Sequence, residues 1–151
     1  MPRRYAPRND ILKHMQKTKI LIATGNEGKF KEISSFFSTL SYVEFVSLKD
    51  IDPIPEPKEI GEEIEYNSLL KAKYYAQKSG LISLADDSGL FIDGLGGWPG
   101  VHTKDTGSTD EERLANILEK AKDLKEGERS ACFASCVTLY DSRTETWFSG
   151  I

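Results

Sequence analysis

No apolar run in this sequence is long enough to cross a bilayer as a helix, which argues against a membrane partner. Cysteine and histidine are scarce, two of each. Cys132 and Cys136 lie in a segment that reads as a strand, Ala131 to Tyr140. Four residues apart on an extended chain they face the same side but sit roughly 13 Å apart, too far for a disulfide. With His14 and His102 the only other soft ligands, a zinc site is a poor reading, and both thiols read as buried in a reducing, cytoplasmic setting. Positive charge is also in short supply: the net charge of −4 leaves no basic footprint for nucleic acid. A small anionic ligand would therefore need a local cationic site or a metal ion.

What is present has the balance of one globular domain, 38% hydrophobic and 29% charged over 151 residues, long enough to bury a sizeable core. Residues 1–16 stand apart, with a net +3 against −7 for the remainder. They lack the apolar centre of a secretory signal and read as a basic, disordered extension, with the compact unit over 17–151.

The run Ile20-Leu21-Ile22-Ala23-Thr24-Gly25-Asn26-Glu27-Gly28-Lys29 is the strongest local signal. A short apolar strand enters a polar, glycine-spaced turn, and Phe30, Ile33, Phe37 and Leu40 then recur at helical spacing. Such a junction gathers free backbone N–H groups and the positive end of a helix dipole at one spot. Gly25 and Gly28 let backbone approach a ligand, and Lys29 adds a mobile cation. The turn reads as a phosphate cradle. It is not a Walker A loop, because Ala23 stands where that pattern needs glycine and Phe30 where it needs Ser or Thr.

Further along, Tyr42 to Leu48 alternates as a second strand, and the proline-rich Ile51 to Pro57 reads as a loop. Asn67 to Ser79 reads as a helix closed by Gly80. Leu81 to Ala85 reads as a short buried strand with Asp86-Asp87-Ser88-Gly89 as the turn at its end. A glycine-rich loop follows, Gly94 to Gly100, and then a capping box of Ser108 or Thr109 with Glu111 or Glu112. The strand around Cys136 meets a hairpin at Asp141 to Arg143 and returns over Thr144 to Ile151. The order of elements is that of an α/β chain with one antiparallel hairpin.

Adjacent aspartates on a strand point to opposite faces, so one faces a ligand and the other braces the backbone. Strand ends beside a phosphate cradle are where open α/β sheets place their sites. A carboxylate there suits Mg²⁺, which keeps several waters and bridges substrate phosphates, and could orient or deprotonate one of those waters.

Thr24-Gly25-Asn26-x-Gly28-Lys29, Asn67 with Leu70-Lys71-Ala72, Ala85-Asp86-Asp87-Ser88-Gly89-Leu90 and Gly96-Gly97-x-Pro99-Gly100 occur in this order. In that combination the chain resembles the inosine triphosphate pyrophosphatases, also called XTP/dITP diphosphatases, from about Lys17 onward. The resemblance implies a mixed, twisted sheet flanked by helices. It also implies Mg²⁺-dependent hydrolysis of deaminated purine nucleoside triphosphates (ITP, dITP, XTP) to monophosphate and pyrophosphate, and a cytoplasmic homodimer. It assigns Thr24, Gly25, Asn26, Glu27, Gly28 and Lys29 to the triphosphate and Ser88 to the substrate. Asp87 becomes the Mg²⁺ ligand that activates the attacking water, Asp86 is left to brace, and Glu59, or else Glu56, is the replacement for a second acidic metal ligand.

The departures are specific. The glutamate that the family carries before Asn67 is Tyr66 here, and its Ser-Ala-Arg after the glycine loop is Thr103-Lys104-Asp105. The base-reading Phe-Gly-Tyr-Asp and Ser-His-Arg segments do not occur. The expectation is a C-terminally truncated domain, with sequence normally following Ile151. A competing reading is a weakly phosphate-binding fragment that needs another chain for its base-reading half.

Overall fold

The computed structural model describes residues 17–58 and 60–151; the readings made for residues 1–16 and for Glu59 lie outside the described residues. β1 (Thr18–Ile22), β2 (Val43–Ser47), β3 (Ile82–Ile92), β4 (Pro99–Gly100), β5 (Ala131–Asp141) and β6 (Thr146–Gly150) form one sheet. The strand order is β2-β1-β3-β5-β6, with β4 on β3. β2, β1 and β3 run parallel, while β5 and β6 are antiparallel. The helices are α1 (Glu27–Phe36), α2 (Ile64–Ser79) and α3 (Asp110–Lys120). This is the mixed, helix-flanked sheet expected.

Burial follows the strand period. On one face Leu21, Ala85 and Tyr140 pack with Ala72, Tyr75 and Ala76 of α2 as the main core. Ser68 of α2 bonds Thr138 at 2.7 Å and Cys136 at 3.3 Å, so these three polar groups under the helix are paired. Gly80, at φ 71°, ends α2 as expected and donates its N–H to Ala76 O at 2.9 Å. The other face carries Asp86, Leu139 and Val137 in register, and over β5 and β6 it leaves Phe133 and Phe148 exposed.

Three readings are corrected. Asp86-Asp87-Ser88-Gly89 is no turn: β3 runs straight through it to Ile92, because ten successive residues pair with β5, from Ser83↔Tyr140 to Ile92↔Ala131. Ladder hydrogen bonds outweigh the turn preference of Asp, Ser and Gly. Cys132 is exposed and only Cys136 is buried, because Ser68 of α2 covers the strand at Cys136 and Thr138. α2 also begins at Ile64, three residues before Asn67. At α3 the capping box has Thr109 as N-cap, accepting from Glu112 N at 3.1 Å, while Glu112 Oε2 accepts from Ser108 N at 2.9 Å.

Candidate active site

β1 stops at Ile22 opposite Leu84, and its last tie to β3 is Ala23 N to Leu84 O at 2.7 Å. β3 continues for eight residues beyond that point. A gap therefore opens beside β3 past the end of β1, and Asp86 borders it, with the buried Asp87 next along the strand. This gap is a cleft of about 420 Å³, walled by Thr24, Asn26, Lys29, Lys71, Tyr75 and Asp86 among others.

The turn after β1 enters α1 through Asn26, whose Oδ1 accepts from Gly28 N at 2.8 Å and Lys29 N at 3.2 Å. Thr24 Oγ1 accepts from Asn26 N at 3.2 Å. The amides expected to stand free for an anion are thus capped by Asn26, which holds the turn in shape. A Cβ added at Gly25 would meet nothing within 4 Å, so the wall there is open; one at Gly28 would lie 3.0 Å from Asn26 Oδ1.

Asp86 and Asp87 serve different sides of β3. Asp86 faces the cleft and pairs with Lys29, so its place is on the ligand wall rather than in a purely bracing role. Asp87 is 3% exposed, and its Oδ1 accepts from Lys71 Nζ at 3.0 Å. Its Oδ2 is buried with no hydrogen-bond partner among the described residues. A bare carboxylate oxygen in the interior is costly, and a cation with bound water is a group that would satisfy it. No cluster of three His, Cys, Asp or Glu side chains gathers among the described residues. Mg²⁺ asks for one or two carboxylates, its remaining ligands being water and phosphate oxygens, so the donor set fits Mg²⁺ and does not fit zinc.

Of the other expected substrate contacts, Glu27 turns away to pair with Lys49. Ser88 lies in register with Ser135 on the Asp86 face of the sheet and does not wall the cleft. Asn67, 1% exposed, clamps the acidic loop before α2: its Oδ1 accepts from Gly61 N at 2.8 Å and its Nδ2 donates to Gly61 O at 3.1 Å. That clamp sets the loop bearing Glu56, which reaches the cleft. Tyr75 also lines it, and burial, followed by the negative charge of Glu56, pushes its phenol above the ordinary value.

A family model described as Ham1 family matches residues 20–151. The chain belongs to the Ham1 family. This Ham1 chain is 38% identical over 134 residues to a dITP/XTP pyrophosphatase of Mannheimia succiniciproducens, covering 85% of itself and 66% of that relative. It is 42% identical over 123 residues to a dITP/XTP pyrophosphatase of Thermus thermophilus, covering 80% of itself and 58% of the relative. Among solved structures, a HAM1 protein from Coxiella burnetii superimposes with a TM-score of 0.79 at 29% identity, over 87% of this chain and 68% of that one. A nucleoside-triphosphatase / dITP/XTP pyrophosphatase from Mycobacterium abscessus gives 0.74 at 34% identity, over 88% and 71%. The Ham1 chain thus spans about two thirds, or less, of the length of the curated relatives it matches.

Lys71, which the resemblance left without a role, lines the cleft and pairs with Asp87. Its signal was legible: it shares a helix face with Asn67, Ser68, Ala72, Tyr75 and Ala76, all buried. A lysine inside such a stripe requires an anionic partner.

Proposed function

We propose that this cleft hydrolyses non-standard purine nucleoside triphosphates (ITP, dITP, XTP) to the monophosphate and pyrophosphate with Mg²⁺, a house-cleaning activity on the nucleotide pool. The observation that carries the reading is the convergence of Lys29 and Asp86 on one wall with Lys71 beside the half-bare carboxylate of Asp87. The names of the relatives supply the substrate class.

In this reading the Thr24 to Lys29 turn holds the polyphosphate, with the open backbone at Gly25 allowing close approach and Lys29 exchanging Asp86 for a phosphate oxygen. Asp87, seconded by Glu59, holds the metal. When bound, Mg²⁺ supplies positive charge against the polyphosphate and acidifies a water. Asp87 Oδ2 takes the proton of the attacking water as the new bond to the α-phosphorus forms and the α–β bridging bond breaks. The electron pair leaves on pyrophosphate, and Lys29 stabilises that growing charge. Lys71 holds Asp87 in place. Ser88, two residues beyond Asp86 on the same face of β3 and outside the cleft's wall, is assigned to the substrate on the family resemblance alone. Assembly as a cytoplasmic homodimer is proposed on the family resemblance alone.

The test is release of pyrophosphate from ITP and ATP by the purified chain, with and without Mg²⁺. The expected result is Mg²⁺-dependent release from ITP that disappears in Asp87→Asn. Neither hydrolysis nor binding of any purine triphosphate at millimolar Mg²⁺ would overturn it.

A further inference from the structure

Residues 51–58 and 60–61 belong to no helix or strand, yet this stretch supplies a wall of the cleft beside β3, where Glu56 stands with Asp86 and Tyr75. Glu56 is exposed. The Tyr75 phenol, pushed up first by burial, is pushed up further by the charge of Glu56, so that charge is felt inside the cleft. Two carboxylates brought to one cleft from different elements repel each other. An untethered loop would swing Glu56 away into water.

Asn67 opposes that swing. It is 1% exposed on the buried face of α2, and it grips the backbone of Gly61 twice, through Oδ1 at 2.8 Å and Nδ2 at 3.1 Å. Gly61 fits because it has no side chain: a Cβ there would lie 2.6 Å from Asn67 Oδ1 and 2.4 Å from Tyr66 Cδ1. Asparagine is an indifferent helix former and costly to bury. Both of these bonds leave α2, so its place on this face serves the loop.

We infer that Asn67 is a positioning residue: by gripping Gly61 it keeps Glu56 on the cleft wall, which makes polyphosphate binding there dependent on a divalent cation. The inference rests on the proposed reading of the cleft and adds to it a source of metal dependence. With Glu56 held on the same cleft as Asp86, the wall repels a bare polyphosphate and attracts a cation. A cation that arrives with the polyphosphate relieves both repulsions. With the grip released, Glu56 withdraws. The metal-free cleft then becomes a better anion site, and the cation loses part of its attraction. Loss of Asn67 should therefore move two affinities in opposite directions, which loosened packing would not do.

The experiment is calorimetric titration of the chain with inorganic tripolyphosphate, in chelator and at millimolar Mg²⁺, on wild type, Asn67→Ala, Gly61→Ala and Glu56→Gln. Asn67→Ala breaks the grip from the helix and Gly61→Ala from the loop. Glu56→Gln removes the charge at an exposed position and should fold as wild type does. Support of a metal site from outside its ligands is commonly worth ~10–100-fold in affinity. Binding at millimolar Mg²⁺ should therefore weaken about tenfold in all three variants. In chelator it should be unchanged or up to about threefold tighter. Unchanged affinity at millimolar Mg²⁺ in any folded variant overturns the inference alone, as does a parallel loss in both buffers. Failure of both Asn67→Ala and Gly61→Ala to fold would assign Asn67 to the core and overturn it too. A wild type that binds no tripolyphosphate, or binds it equally with and without Mg²⁺, overturns the cleft reading and this inference together.

Discussion

Lys71 Nζ and Asp87 Oδ1 meet at 3.0 Å with side chains only 8% and 2% exposed. The pair joins the buried face of α2 to the strand that borders the cleft, so it is both part of the core and one wall of the site. Removing Asp87 takes a carboxylate partner from a buried ammonium. Asp87→Ala should cost about 3–5 kcal/mol, and Asp87→Leu combined with Lys71→Met should recover most of it. Urea melts of the three proteins decide this, and a double variant no better than Asp87→Ala would assign the cost to packing. Asp87→Asn keeps an acceptor for Lys71, so it should fold while losing any rise in melting temperature that Mg²⁺ gives wild type.

In the proposed reading Asp86 and a phosphate compete for the Lys29 ammonium. Lys29→Ala should weaken tripolyphosphate by about tenfold or more. Asp86→Asn should strengthen it in metal-free buffer, because Lys29 is released and a negative charge leaves the wall. Titration in the presence of a chelator checks both, and weaker binding by Asp86→Asn would refute the competition.

Tyr75 sets an alkaline limit. Its phenol is held above the ordinary value of 10.0, first by burial and then by Glu56. The folded state therefore keeps its proton more tightly than the unfolded chain does. Stability linked to Tyr75 is full below about pH 10 and is lost as pH rises through the higher folded value. Melting temperatures between pH 9 and 11.5 should fall for wild type, and less steeply for Tyr75→Phe. Parallel curves would remove Tyr75 as the cause.

Gly89→Ala would push a Cβ to 2.3 Å from Gly100 O and 2.6 Å from Gly100 C. Both neighbours are backbone, so the segment bearing Lys104 must move. The expected cost is about 2–3 kcal/mol. Unchanged stability in a chemical melt would mean that the segment yields freely.

Much of this was legible in the chain itself. The β1-turn-α1 unit follows from the Thr24 to Lys29 spacing, and Gly80 and Thr109 cap their helices as their residue types require. The Asp-Asp-Ser-Gly turn was misread because its preference is local. The pairing that overrides it involves Ala131 to Tyr140, some fifty residues away. The partition of the two carboxylates had the same limit. Alternation says that Asp86 and Asp87 diverge, but which one meets Lys29 and which Lys71 depends on where α1 and α2 sit.

Because the two aspartates share an unbroken strand, their division of labour is a matter of parity. Substitutions elsewhere in β3 leave that parity alone. A one-residue insertion or deletion between Leu84 and Asp86 reverses it, turning Asp87 toward Lys29 and Asp86 toward Lys71. Chain length in this stretch is therefore constrained more tightly than composition. A substitution beside the carboxylates changes packing, whereas a change in residue count exchanges their partners.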